Sequence, residues 1–277
     1  MSTTIIADHP TWQTTPEGDR VRLVEHNGEP WVATWTPRRR HLLLQPLTSG
    51  SVEPPALSYT SAITLPPATE QGRPLLDALV KLGTVVRLTN PSLWDAIVTA
   101  ILRQVVSASQ ARTKLNAFCA AYGQRFTAAA GELALVPSPE HVLRLSSEGF
   151  AAVGCKFNES PLRAAAEAFL ARGEKWAGLD AEPLIAELVA LPGIGPWTAA
   201  AAAADATGDF SIYPHGDLAV RTWAKRAAPG LALPSSDSEF EALWRTWAPE
   251  RAPLHALTLF TLAWGSSSPE ARTVRPD

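Results

Sequence analysis

The sequence predicts a mainly α fold that opens with a small antiparallel β subdomain. Three observations carry this expectation. An Asn-Gly pair divides two apolar runs within the first 36 residues. From about Pro74 onward, apolar residues recur at helical spacing. A Gly-x-Gly hinge then joins two of the helical stretches.

The β part comes first. Val21, Leu23 and Val24 precede His26-Asn27-Gly28-Glu29, and Trp31, Val32, Thr34 and Trp35 follow. Asn and Gly both tolerate positive φ, so this pattern reads as a hairpin. His41 to Gln45 adds a third strand. Residues 46–74 are rich in Pro, Ser and Thr and read as a linker, with one further strand at Tyr59 to Leu65. The expected domains are therefore a β subdomain with linker at 1–72 and an all-α domain at 73–277.

In the helical part, Leu93, Ile97, Ala100 and Ile101 share a face, with Pro91 opening the helix and Asn90 capping it. Further helices are expected near 107–122, 138–146, 160–172, 180–190, 196–207, 217–228, 237–247 and 253–264. Gly123, Gly173 and Pro229-Gly230 punctuate them. Trp94, Trp223, Trp244 and Trp247 fall at helical positions and read as core rather than as stacking platforms for single strands.

Composition narrows the function classes. The 277 residues are 46% hydrophobic and 18% charged, enough for a sizeable core. A net charge of −3 is not the footprint of a strongly basic nucleic-acid binder, although a local basic face and backbone donors suffice for DNA. Cys119 and Cys155 are too few for a disulfide framework or a four-thiolate cluster, and read as buried thiols. The first residues lack a basic, apolar secretion signal. The longest apolar stretch, Leu184 to Ala204, is broken by Pro192, Gly193, Gly195 and Pro196, so no membrane span is expected and the protein reads as cytoplasmic.

The chemistry-bearing segment is Leu191-Pro-Gly-Ile-Gly-Pro-Trp-Thr-Ala199. A helix ends near Ala190, Gly193 and Gly195 permit a tight turn with unusual backbone angles, and Pro196 opens the next helix. The loop amides and the new helix N-terminus suit a phosphate, although a plain joint between helices has the same outline. Further on comes Tyr213-Pro-His-Gly-Asp217-Leu-Ala-Val-Arg221, with Asp217 at a predicted helix start, where an ordinary N-cap would also stand.

Together these segments resemble the helix-hairpin-helix DNA glycosylase superfamily, most closely its bacterial 3-methyladenine DNA glycosylase II branch, whose hairpin also carries Trp at the Trp197 position. Two further segments are similar to the family pattern. Ile101-Leu-Arg-Gln-Val-Val-Ser107 matches an Ile-x-x-Gln-x-x-Ser helix end, and Trp247-Ala-Pro-Glu-Arg-Ala252 matches a segment before the last helix. The resemblance covers residues 74–265.

The resemblance implies a fold of two helical lobes and a set of roles. Asp217 would be the catalytic carboxylate, facing the positive charge that grows on the sugar as an N-glycosidic bond breaks. Gln104 and Val105 would lie at the loop that fills the gap left by a flipped base. Gly193, Ile194, Gly195 and Thr198 would hold the DNA backbone, with a monovalent cation on the hairpin carbonyls and no other metal or cofactor. Trp197, Ala201, Leu259 and Phe260 would stand at the base pocket. The implied partner is double-stranded DNA carrying a damaged base, met by a monomer.

Three departures bear on the substrate. Relatives that also nick the strand carry Lys where Trp197 stands, and Trp cannot form a Schiff base, so no lyase activity is expected. Ala201 and Leu259 replace aromatics that stack on electron-poor alkylated bases in the alkylation-repair relative. Gly154-Cys-Lys-Phe-Asn-Glu-Ser-Pro161 departs from the family's Gly-x-Ser-x-x-Lys pattern. The expected reaction is excision of an alkylated purine such as 3-methyladenine or 7-methylguanine. The alternatives are a glycosylase for deaminated or oxidised bases, and a DNA-binding module without catalysis. His215 and Asp217 form a His-x-Asp pair with no further ligand cluster, which speaks against a metallohydrolase. Arg38-Arg39-Arg40 reads as a solvated turn rather than a phosphate contact.

Overall fold

In the computed structural model, residues 3–48 and 53–267 are described. The first strands are Thr3–Ile6 (β1), Gln13–Thr14 (β2), Arg20–His26 (β3), Glu29–Thr36 (β4), His41–Pro46 (β5) and Leu57–Ser61 (β6). Helix Arg73–Leu79 (α1) and strand Thr84–Leu88 (β7) lead into Leu93–Leu102 (α2) and Ala108–Tyr122 (α3). A hairpin, Arg125–Ala128 (β8) and Gly131–Ala134 (β9), is followed by Pro139–Arg144 (α4), Ser147–Ala152 (α5), Glu159–Ala177 (α6) and Ala181–Val189 (α7). The last helices are Pro196–Thr207 (α8), Leu218–Ala227 (α9), Asp237–Trp247 (α10) and Arg251–Ser267 (α11).

The chain divides into two compact units, and each draws on separate stretches of sequence. One comprises residues 1–8, 57–88 and 209–277; the other comprises 9–56 and 89–208. This differs from the expected division at 72/73. Strand pairing and a buried ion pair outweigh nearness along the chain, because β1 pairs with β7 and Arg22 of β3 pairs with Asp95 of α2.

In the first unit, β7 lies between β1 and β6, parallel to the former and antiparallel to the latter. The β part is therefore neither wholly antiparallel nor wholly N-terminal. Helix α11 packs on this sheet and on α9. Trp244 and Trp247 are buried as expected. Trp223 is half-buried, and its ring lies so close to Gly265 that a Cβ there would come within 2.2 Å of it.

In the second unit, β2 to β5 form an antiparallel sheet. Its β3–β4 turn has Asn27 at φ 53 and Gly28 at φ 77, as the Asn-Gly pair predicts. Val21, Leu23 and Val32 of this sheet cluster with Leu133 of β9. Between the sheet and the helices lies a polar network. Arg22, 1% exposed, donates to Asp95 Oδ2 at 3.0 Å. His9 Nε2 stands 3.4 Å from Asp95 Oδ1 and 3.1 Å from Thr99 Oγ1. Burial pushes the Asp95 carboxyl up, but His9 and Arg22 outweigh it and hold the group well below the usual carboxylate range.

Local signals explain most helix starts. Ser92, not Asn90, caps α2 by accepting the Asp95 N–H. Asn90 instead donates to Asp205 Oδ2 of α8 at 2.7 Å. Ser107 and Gln110 form a capping box at α3. The helix expected at 138–146 is α4, and a further short helix that was not expected, α5, follows it because Ser146 caps a new start. The thiols of Cys119 and Cys155 are free and buried.

Candidate functional site

The hairpin is built in the second unit. Helix α7 ends at Ala190, Leu191 and Ile194 bury their side chains, and α8 starts at Pro196. Gly193 takes φ 79, where an L side chain is strained, and a Cβ there would sit 3.0 Å from Pro161 Cβ. Glycine at 193 is thus required by the chain itself. Gly195 differs from expectation. It is the α8 N-cap with φ −84 and ψ 173, open to any residue, and a Cβ there meets nothing within 4 Å.

Gln104 closes the hairpin onto the end of α2. Its Nε2 donates to Gly193 O at 3.0 Å and to Thr198 Oγ1 at 2.9 Å, which uses both amide hydrogens. Thr198 is 4% exposed, so its side chain serves this internal bond. Ile194 is buried as well, so the hairpin offers an outside partner its backbone, not these two side chains.

Val105 follows at the tip of the turn. It is 90% exposed and has φ 54, a sparsely populated conformation for a β-branched residue. Gln104 anchors it on one side and the Ser107–Gln110 box on the other. The turn is therefore held so that an apolar side chain is presented to solvent. Trp197, half-buried at the second position of α8, carries the Arg103 guanidinium over its ring at 5.6 Å from the centroid. Ala201, further along α8, is 4% exposed.

Asp217 belongs to the first unit. Its N–H donates to Pro214 O at 2.9 Å, and its Oδ1 accepts the Ala219 N–H at 2.8 Å, capping α9. The segment before it is anchored by Asp209 and Ser211, which the sequence motifs did not single out, and by Arg251, which they did. Asp209 Oδ1 accepts the Ser211 N–H at 2.8 Å. Asp209 Oδ2 receives Arg251 through Nε at 2.9 Å and Nη2 at 2.6 Å. Arg251 is the arginine of the Trp-x-Pro-x-Arg segment, so that motif secures the approach to Asp217. Burial raises the Asp209 carboxyl, but His255, Ser211 and Arg251 together hold it well below its ordinary range.

His215 is fully buried, and neither ring nitrogen has a hydrogen-bond partner among the described residues. Burial and the nearby Arg245 push its pKa down to about 4, so it is neutral near pH 7. With no exposed surface, this imidazole is not placed to donate a proton to a substrate. Among the described residues no group of three or more His, Cys, Asp or Glu could hold a metal ion. Leu259 is 1% exposed and Phe260 0%, so both are core residues of α11 rather than open walls. No described helix is long and apolar enough to cross a membrane.

No family model matches the chain. Over 155 residues it is 33% identical to a protein of Mycobacterium tuberculosis described as a probable bifunctional transcriptional activator/DNA repair enzyme AlkA. The match covers 54% of this chain and 30% of the relative, so the chain spans under a third of that relative's length. Among solved structures, the 3-methyladenine DNA-glycosylase of Archaeoglobus fulgidus aligns at a TM-score of 0.67 and 18% identity, covering 94% of this chain and 92% of the other. An 8-oxoguanine glycosylase/lyase of Clostridium acetobutylicum, in complex with double-stranded DNA, aligns at 0.68 and 12% identity, covering 94% and 88%.

Proposed function

This chain has the helix-hairpin-helix fold of DNA glycosylases, and we propose that it is a monofunctional glycosylase that excises damaged bases, with Asp217 as its catalytic carboxylate. The observation that carries the reading is the pair of local devices: a hairpin clamped by Gln104 and an aspartate that caps α9 behind an anchored segment. The hairpin suits backbone contact with DNA. The carboxylate suits stabilisation of a cationic sugar and orientation of the attacking water. The enzyme acts as a monomer in the cytoplasm, on chromosomal DNA. Leu191 O and Gly193 O each accept one N–H and keep a second lone pair, so both fit a monovalent cation at the hairpin.

Alkylated purines are the favoured substrates. Cationic leaving groups such as 3-methyladenine need little acid catalysis, and the fully buried His215 is not placed to supply any. A screen of excision over alkylated, deaminated and oxidised bases tests this; activity confined to neutral lesions would overturn it. With Trp197 at the lysine position of lyases, abasic sites should remain intact and borohydride should trap no covalent complex. A trapped adduct would end the monofunctional reading.

Gly195→Asp tests the hairpin. Nothing in the chain needs glycine there, and Asp is a favoured N-cap, so the variant should melt at or above the wild-type temperature. Its affinity for any duplex, damaged or not, should fall roughly tenfold or more, because an acidic side chain would face the phosphate in place of a bare backbone. Undiminished affinity in the folded variant would remove the hairpin from the DNA interface.

A further inference from the structure

We infer that His255 is a positioning residue: its imidazole latches the segment that carries Asp217, and does so as the tautomer with its hydrogen on Nε2. The inference rests on the reading of Asp217 as the catalytic carboxylate and adds a residue that no sequence motif marks. His255 lies one turn after Arg251 on α11 and is half-buried. Its Nδ1 accepts the Phe210 N–H at 3.0 Å. Its Nε2 stands 3.0 Å from Thr60 Oγ1 of β6.

These two contacts fix the tautomer. A backbone N–H only donates, so Nδ1 must present its lone pair. The ring hydrogen is then on Nε2, which donates it to Thr60 Oγ1. A proton on Nδ1 would instead set two donors against each other. The acceptor then nearest would be Asp209 Oδ1, 3.7 Å away, and the bond to Phe210 would be lost.

The latch reaches Asp217 through a short series of contacts. Phe210 is 2% exposed, and the Arg87 guanidinium of β7 lies over its ring at 5.0 Å from the centroid. Tyr213, 4% exposed, stacks on the same ring with centroids 5.7 Å apart. Pro214 follows, and its carbonyl accepts the Asp217 N–H at 2.9 Å. A Phe210 N–H left buried without an acceptor would pull the segment toward another partner, and the far end of that segment holds the carboxylate. A misplacement of about 1 Å at a reacting group costs up to roughly 10²-fold in rate.

The tautomer is read in the full wild-type chain. Proton–nitrogen correlation spectroscopy of the His255 ring should show a bare Nδ1 and a protonated Nε2. Two variants then separate the latch from packing alone. In His255→Asn the amide oxygen is as many bonds from Cα as Nδ1 and can accept the Phe210 N–H. In His255→Gln the amide extends toward Thr60 and leaves that N–H empty. Hydrogen exchange at the Phe210 and Asp217 amides should quicken in His255→Gln and stay slow in His255→Asn. Single-turnover excision of 7-methylguanine should fall roughly 10- to 100-fold in His255→Gln and remain near wild type in His255→Asn. Affinity for a duplex with a tetrahydrofuran abasic analogue should hold in both, because the latch acts on position rather than on binding.

A ring protonated on Nδ1, or unchanged exchange at Asp217 in His255→Gln, would overturn the inference. So would equal rate losses in the two variants, or losses that appear in affinity instead of rate. The tautomer is measured in the wild type, so it decides the matter even if His255→Gln does not fold. A wild type that excises no lesion would count against the glycosylase reading alone, since tautomer and exchange are read without catalysis.

Discussion

Asp217→Asn is expected to fold, to bind lesion-bearing DNA at least as tightly as the wild type, and to excise the base at least ~100-fold more slowly. The observed cap and the proposed catalysis make different demands on this side chain. As a cap it uses one oxygen, Oδ1, which accepts the Ala219 N–H at 2.8 Å. The amide oxygen of Asn accepts the same bond, and Asn caps helices about as well as Asp, so stability should change by only about a few tenths of a kcal/mol. As a catalyst the residue supplies negative charge, which Asn lacks. Ground-state binding should not suffer, since a carboxylate near phosphates is repelled. Single-turnover excision beside a thermal melt decides the matter. Near-normal excision by a well-folded variant would sink the catalytic assignment.

The largest effect on stability is expected at Asp95. Arg22 is 1% exposed and its charge is matched by Asp95, so Asp95→Asn leaves a guanidinium buried without its counter-charge. Breaking a buried pair from one side typically costs about 3–5 kcal/mol. The sign of the pH dependence follows from the lowered carboxyl. Its stabilisation is complete above the ordinary carboxylate pKa near 3.8 and is lost as pH falls below it. Urea midpoints measured across pH should therefore drop in acid for the wild type and more shallowly for Asp95→Asn. Replacing both partners by apolar residues should recover much of the loss. A cost under about 1 kcal/mol would show that solvent or another group compensates Arg22.

Local rules were legible in the sequence where a short stretch decides the outcome. Asn27-Gly28 dictates its turn, and the helices from Leu93 to Trp247, α5 excepted, lie where their apolar spacing and caps put them. Elements decided by distant partners were not legible. Strand β7 is buried on four of its five residues between β1 and β6, so it shows no alternation of apolar and polar side chains. The β8–β9 turn lacks an Asn-Gly signal. The same divide runs through the candidate site. Gly193 announces its left-handed backbone, whereas Val105 does not, because β-branched residues avoid positive φ unless neighbours impose it. The bond from Gln104 to Gly193 joins residues 89 apart, and that of Arg251 to Asp209 joins residues 42 apart, so no local pattern reveals either.

The interleaving of the two units bears on the order in which a growing chain can become structured during translation. Residues 9–56 and 89–208 are all synthesised before residue 209, so that unit has its full complement early. The other unit already holds β1, β6 and β7 but must await α11, which packs on β1 and β7. Until then the apolar faces of Ile6, Val85 and Val86 lack their final packing, the interval in which nascent chains are most prone to aggregate. The ribosome thus delivers the hairpin first and the segment bearing Asp217 later, and the chain gains its carboxylate site only once its C-terminal helices arrive.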